Sequence, residues 1–140
     1  MLWKGLAMSN TSTFIFNDGG RSHYFKGRAG DCATRAMSIA LELDYKLCYD
    51  ELAKAHSAKT GKRSARNGIY KDDFDTVLKR HGWIWHSAPK FEGRKARYSD
   101  MPQGRVIVRM ARHFAAVIDG VLYDAWDSRD KMVYGYWAKT

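Results

Sequence analysis

Three residues stand in an order and spacing that can transfer an acyl group. Cys32 opens a helical apolar stripe, His113 heads a run of strand residues, and Asp124 falls on the next such run. A thiol in the first turn of a helix feels backbone N–H groups without intrahelical acceptors and the positive end of the helix dipole, and both favour thiolate. Gly30 leaves room for a substrate backbone, and the peptide N–H of Cys32 can aim at a developing oxyanion. Taken by itself, Cys32 also reads as a small buried hydrophobe. A nucleophilic role needs a base within reach.

The base is read from a hairpin. Asp119-Gly120 between two apolar runs is a strong signal for a two-residue turn, which pairs Ile118 with Val121, Ala115 with Asp124 and His113 with Trp126. Side chains alternate along each strand and match across paired positions, so His113, Ala115 and Val117 share a face with Leu122, Asp124 and Trp126. Asp124 is then the diagonal neighbour of His113. From there a carboxylate can accept from one imidazole nitrogen and leave the other for the thiol. Asp127 lies on the opposite parity and becomes the triad acid only if a bulge shifts the register. The competing reading is a half-buried sheet whose histidine meets a carbonyl while Asp124 and Asp127 sit in solvent.

The elements that must position these residues follow from periodicity. Phe14-Ile15-Phe16 reads as a short strand within a loop rich in Ser, Asn and Gly. Cys32, Ala36, Ile39, Ala40 and Leu43 form one face of a helix, with Asp31 as its N-cap and Asp44 as its end. Tyr45 to His56 supplies a second helix. A third runs from Ile69 or Tyr70 through Phe74, Val77 and Leu78 to His81, stopped by Gly82. The period then shifts towards two, giving strands at Trp83–Trp85, Val106–Val108, His113–Ile118, Val121–Trp126 and Met132–Trp137. Helices first and strands second predict an α+β fold, N-terminal helices packed on a C-terminal antiparallel β-sheet. Residues 1–140 are expected to form a single domain, with 1–12 a loosely ordered leader. At 140 residues and 45% hydrophobic composition the chain can bury one core. No apolar run approaches the ~20 residues of a membrane span, and the start lacks a secretory h-region, so a cytoplasmic address is expected.

Cys at the start of the first long helix, followed by His and an acid on successive strands of a later sheet, resembles the papain-like cysteine peptidase superfamily. The runs Gly30-Asp31-Cys32-Ala33-Thr34-Arg35-Ala36 and His113-Phe114-Ala115-Ala116-Val117-Ile118-Asp119-Gly120 are similar to bacteriocin-processing peptidase domains and to small papain-like proteins of phages and bacteria. The resemblance implies a papain-like fold and a thiol hydrolase or acyl transferase acting on an amide bond. Cys32 would be its nucleophile, His113 its base and Asp124 its orienting acid, with no cofactor and a protein or peptide substrate. It also implies a host cytoplasm if the chain is phage-encoded. These families usually carry a Gln six residues before the Cys to complete the oxyanion hole; here that position is Lys26, a mobile point charge, with Asn17 and Arg28 nearby.

Other residues carry weaker signals. His23, His56, His81, His86 and Cys48 show no metal-ligand spacing, so no metal is expected. Arg35 borders the nucleophile and either faces solvent or raises the local positive potential. The formal charge of +9 concentrates partly in two basic stretches, 59–66 (Lys59, Lys62, Arg63, Arg66) and 90–97. They support an alternative, a catalytically inert basic protein that binds nucleic acid or inhibits a host factor on the same fold.

Overall fold

A two-residue turn organises the C-terminal half. Asp119 and Gly120 hold φ of 50° and 81°, the left-handed pair that a tight hairpin demands and that Gly supplies without steric cost. The computed structural model describes residues 13–26, 30–60 and 69–140. Within them the chain forms β1 (Phe14–Phe16), α1 (Cys32–Leu41), α2 (Tyr45–Thr60), α3 (Lys71–Arg80), β2 (Trp83–Ser87), β3 (Arg105–Met110), β4 (His113–Ile118), β5 (Val121–Asp124) and β6 (Val133–Lys139). Short 3₁₀ turns lie at Arg21–His23 and Tyr98–Asp100. The expected leader, 1–12, and the basic residues Lys62, Arg63 and Arg66 lie outside the described residues, as does the side chain of Lys59.

The fold is α+β, with helices and one six-stranded sheet in the order β1-β5-β4-β3-β6-β2. The expectation of a purely C-terminal antiparallel sheet needs correction. β1 comes from the N-terminal segment and pairs parallel with β5, Phe16 opposite Asp124. Backbone bonds from Leu122 N to Thr13 O (2.8 Å) and from Asn17 N to Asp124 O (2.9 Å) extend this pairing. Three residues of alternating pattern cannot announce which strand they will join, and a parallel partner requires a long crossover, which here carries the three helices.

α1 packs on β3, β4 and β5, α2 on α1 and α3, and α3 on β2. One side of the sheet gives Ile107, Phe114, Ala116 and Trp137 to a core shared with Ala36, Met37, Leu52, Phe74 and Leu78. Phe74, Phe114 and Trp137 stack edge to face with centroids 4.7–5.7 Å apart. The opposite side gives Val106, Val108, Val117 and Leu122 to a second core, closed by Ala96 and Met101 from the connection between β2 and β3. That connection includes the basic stretch 90–97, which is therefore no free polycationic loop. Arg94 binds Asp100 bidentately at 2.8 and 2.9 Å, and Arg97 donates to the Asp130 carbonyl.

The end of α1 and the role of Asp44 also differ from expectation, whereas α2 starts at Tyr45 as expected. α1 stops at Leu41, with Glu42 in the left-handed region at φ 58°. Asp44 instead accepts from the N–H groups of Lys46 and Leu47, so it caps the start of α2. Nor does α1 bury only one stripe: every residue from Ala33 to Ala40 is buried. The sheet covers one side and the segment preceding the helix another, where Ser38 Oγ lies 2.9 Å from the Gly19 carbonyl as well as 2.6 Å from that of Leu43 beyond the helix end, its one proton shared between them.

Gly135 on β6 marks the tightest approach in the sheet. A Cβ there would sit 2.2 Å from the Trp85 ring, which meets Trp137 edge to face at 4.8 Å. Gly135→Ala is expected to destabilise the protein by about 2–3 kcal/mol, read as a lowered denaturant midpoint with an unchanged m-value.

Candidate active site

The site forms where α1 begins and where one end of the sheet brings together the start of β4 and the end of β5. Cys32 is the first residue of α1 and is half-buried, while Cys48, on α2, is fully buried in the core. Their chemistry separates accordingly: burial, with Glu51 and Asp44 nearby, pushes the Cys48 thiol up to about 12.

His113 is 6% exposed and makes two side-chain hydrogen bonds. Its Nε2 lies 2.6 Å from Asp124 Oδ2, and the Cys32 thiol is its second partner, which leaves Nδ1 for the sulfur. The hairpin register explains the first bond. Ile118 opposite Val121 and Ala116 opposite Tyr123 carry the ladder to the point where Asp124 sits diagonally from His113. Asp127 is exposed and pairs with Arg129 at 2.7 Å, so no bulge brings it to the histidine. Trp126 leans over the imidazole with ring centroids 4.7 Å apart. Among the sequence candidates the structure thus brings together Cys32, His113, Asp124 and Trp126.

The Asp124 carboxylate is saturated by donors. Oδ2 receives His113 and Ser128 Oγ (2.8 Å); Oδ1 receives its neighbour's Ala125 N–H (2.7 Å) and Arg35 Nη2 (3.3 Å). Burial works against its charge, yet the His113, Ser128 and Ala125 hydrogen bonds hold its carboxyl below the usual carboxylate range. For His113 burial opposes protonation, but Asp124 and then Cys32 outweigh it and raise the imidazole to about 9. A group raised in the folded state contributes stability that is complete below its unfolded value near 6.5 and is lost as the pH passes through about 9. Thermal melts between pH 6 and 10 are therefore expected to show a decline across that window, of up to about 3 kcal/mol, that is missing in His113→Gln.

Asp31 does not act as the expected side-chain N-cap. Its buried carboxylate turns inward to Arg21 Nε (3.1 Å), Arg35 Nη1 and Tyr45 Oη. Arg35 is 6% exposed and reaches Asp31 with one nitrogen and Asp124 with the other. It ties the residue before the nucleophile to the acid behind the base. This role is absent from the sequence reading, although the i, i+4 spacing of Asp31 and Arg35 on a helix is a usable signal. Ser128, four residues beyond Asp124, is missed for a different reason: it lies outside any regular element.

A cleft of about 380 Å³ opens onto Cys32 and His113, bounded by Gly30, Tyr70, Phe114 and Trp126. Lys26, expected near the oxyanion, does not line it. Lys26 is exposed and faces a neighbouring pocket of about 720 Å³ with Arg21, Asp31 and the far side of Trp126. Asn17 is also occupied, since its Oδ1 accepts from Gly19 N at 2.8 Å. Arg28 lies outside the described residues. Among the described residues, the Cys32 peptide N–H is a donor that an oxyanion at the nucleophile could use, because it occupies the first helical position and has no intrahelical acceptor.

Two further histidines serve elsewhere. His81 meets Glu51 at 2.9 Å, pinning α3 to α2, and His86 stacks on Tyr136. Among the described residues no three His, Cys, Asp or Glu side chains converge to hold a metal, and no helix is long and apolar enough to cross a membrane. Comparison of the chain with family models, curated proteins and solved structures finds no match.

Proposed function

We propose that this protein is a papain-like cysteine hydrolase or acyl transferase that opens an amide or peptide bond through a thioester on Cys32. The observation that carries the reading is the hydrogen-bonded series Cys32, His113, Asp124 at the mouth of a cleft. The Cys32 sulfur adds to the carbonyl carbon while its peptide N–H receives the developing oxyanion. His113, held as imidazolium by Asp124, gives its proton to the leaving amine as the C–N bond breaks. Water or another nucleophile then attacks the thioester, His113 takes its proton, and the C–S bond breaks to release the Cys32 sulfur as thiolate beside the re-formed imidazolium, with the acid or the transferred product. Asp124 keeps the ring oriented throughout, and Trp126 covers its outer face.

The histidine sets the alkaline limit. Proton donation to the amine requires imidazolium, so kcat/KM for an amide substrate is expected to fall as the pH rises through about 9. In Asp124→Asn the charge that raises His113 is gone, and the limb moves to lower pH.

A pool of fluorogenic peptidyl amides tests the reading. Turnover is expected with the wild type and not with Cys32→Ala, and acid quenching during turnover is expected to leave an acyl adduct on Cys32 detectable by intact mass. A folded wild-type protein that cleaves no member of the pool and never carries the adduct would defeat it.

A further inference from the structure

The cleft has a one-sided charge. Among the described residues its walls include Lys71, Arg109 and Arg112 beside Arg35, and no Asp or Glu. Arg35 is committed to Asp31 and Asp124, but the other three cations make no ion pair among the described residues. Elsewhere Arg94 pairs with Asp100, Arg105 with Glu42, and Arg129 with Asp127, while Arg80, Lys95 and Lys139 share the unpaired state of the cleft cations without lining the cleft. Two of the three cleft cations rest on aromatic rings outside the cleft lining. Lys71 Nζ stands 4.1 Å from the Trp85 ring centroid and the Arg109 guanidinium 5.7 Å from that of Tyr134. The β3–β6 register shifts between Arg109 and Met110, an irregularity of the kind that re-aims side chains beside a site. Arg112 sits in the tight β3–β4 turn at φ 53°, where Gly or Asn would be less strained. The acids of α3's first turn, Asp72 and Asp73, are not part of the lining.

We propose that Lys71, Arg109 and Arg112 select an acidic peptide, one with a carboxylate side chain close to the amide that Cys32 attacks. The proposal rests on the acyl-transfer reading of the site. Unpaired cations lining one cleft concentrate anions there, and an arginine fork matches a carboxylate in two bonds. A peptide is favoured over a nucleic acid because the three cations line the same cleft as the nucleophile, which the reacting amide carbonyl must also enter.

The test compares the alkylation of Cys32 by iodoacetate with that by iodoacetamide, then its labelling by tripeptide vinyl sulfones carrying Glu or Gln at each position in turn. His113 itself favours the anionic reagent, so the variant decides. In Lys71→Gln/Arg109→Gln/Arg112→Gln the iodoacetate-to-iodoacetamide rate ratio is expected to fall roughly five- to tenfold at low salt. A control that removes equal charge elsewhere, Arg80→Gln/Lys95→Gln/Lys139→Gln, is expected to keep the wild-type ratio. At least one Glu-containing vinyl sulfone should label the wild type faster than its Gln counterpart and lose that advantage in the cleft variant. If Cys32 is reactive but the ratio ignores the three cations, the acidic-substrate proposal falls alone. If single-stranded DNA shields Cys32 at concentrations where polyglutamate does not, a nucleic-acid ligand replaces it. If iodoacetamide finds Cys32 no faster than in the unfolded chain, the acyl-transfer reading falls and this proposal with it.

Discussion

Replacing His113 with alanine is expected to lower kcat/KM for amide cleavage by about 10²–10⁴-fold, the range for removing a positioned general acid–base. The structure gives the reason in two contacts. His113 is hydrogen-bonded to both the Cys32 thiol and Asp124, so its loss removes the proton donor for the leaving amine and the charge that faces the sulfur. It also leaves the buried Asp124 carboxylate with Ser128, Ala125 and Arg35 as its remaining donors. Asp124→Asn should cost less than His113→Ala, since an amide oxygen can still accept from Nε2 and hold the ring. The check is a pair of kcat/KM values measured at pH 7 with one fluorogenic amide. A His113→Ala protein within a few-fold of wild type would show that the contact with the thiol is structural only.

The second large effect falls on stability. Arg35→Met is expected to lower stability by about 3 kcal/mol or more, because removing one partner from a buried ionic cluster leaves uncompensated charge. Asp31 and Asp124 are 1% and 2% exposed, and among the described residues Arg35 is the one cation that touches both. Arg21 and Tyr45 still serve Asp31, whereas Asp124 loses a donor without replacement. Arg35→Lys should not restore the wild type, because a single ammonium cannot span two carboxylates as the guanidinium fork does. Calorimetry should show the melting temperature of Arg35→Met lowered by about 10 °C for a chain of this size. A shift of only a degree or two would mean that solvent reaches the cluster.

The hairpin and the helix start were legible in the sequence because each depends on local rules. Asp119-Gly120 dictated its turn, period-two alternation then fixed which residues face Asp124, and Cys32 began the apolar stripe that became α1. What could not be read depends on encounters between distant segments. Nothing local says that Phe14–Phe16 will add parallel to β5, or that Ala96 and Met101 will close the far side of the sheet. Arg35 was the instructive case: a charged residue near a helix start defaults to solvent, and only the convergence of two buried carboxylates from positions 31 and 124 turns it inward. The same holds for the cleft, where Lys71, Arg109 and Arg112 come from α3, β3 and the turn beyond it. The segments richest in Lys and Arg drew the eye by composition, yet Arg94 and Arg97 in one of them are spent on internal contacts.

The thiol chemistry attributed to Cys32 can be measured without knowing a substrate. Iodoacetamide alkylation of Cys32 at pH 6, followed by peptide mass mapping, compares the native protein, the urea-unfolded chain and native His113→Ala. Cys48, buried and with its thiol pushed up to about 12, serves as the internal unreactive thiol of the folded protein. If Cys32 is paired with an imidazolium, it should react at least about tenfold faster in the native wild type than in the unfolded chain, and His113→Ala should abolish that advantage. Equal rates for Cys32 in the folded, unfolded and His113→Ala proteins would contradict the account at its centre.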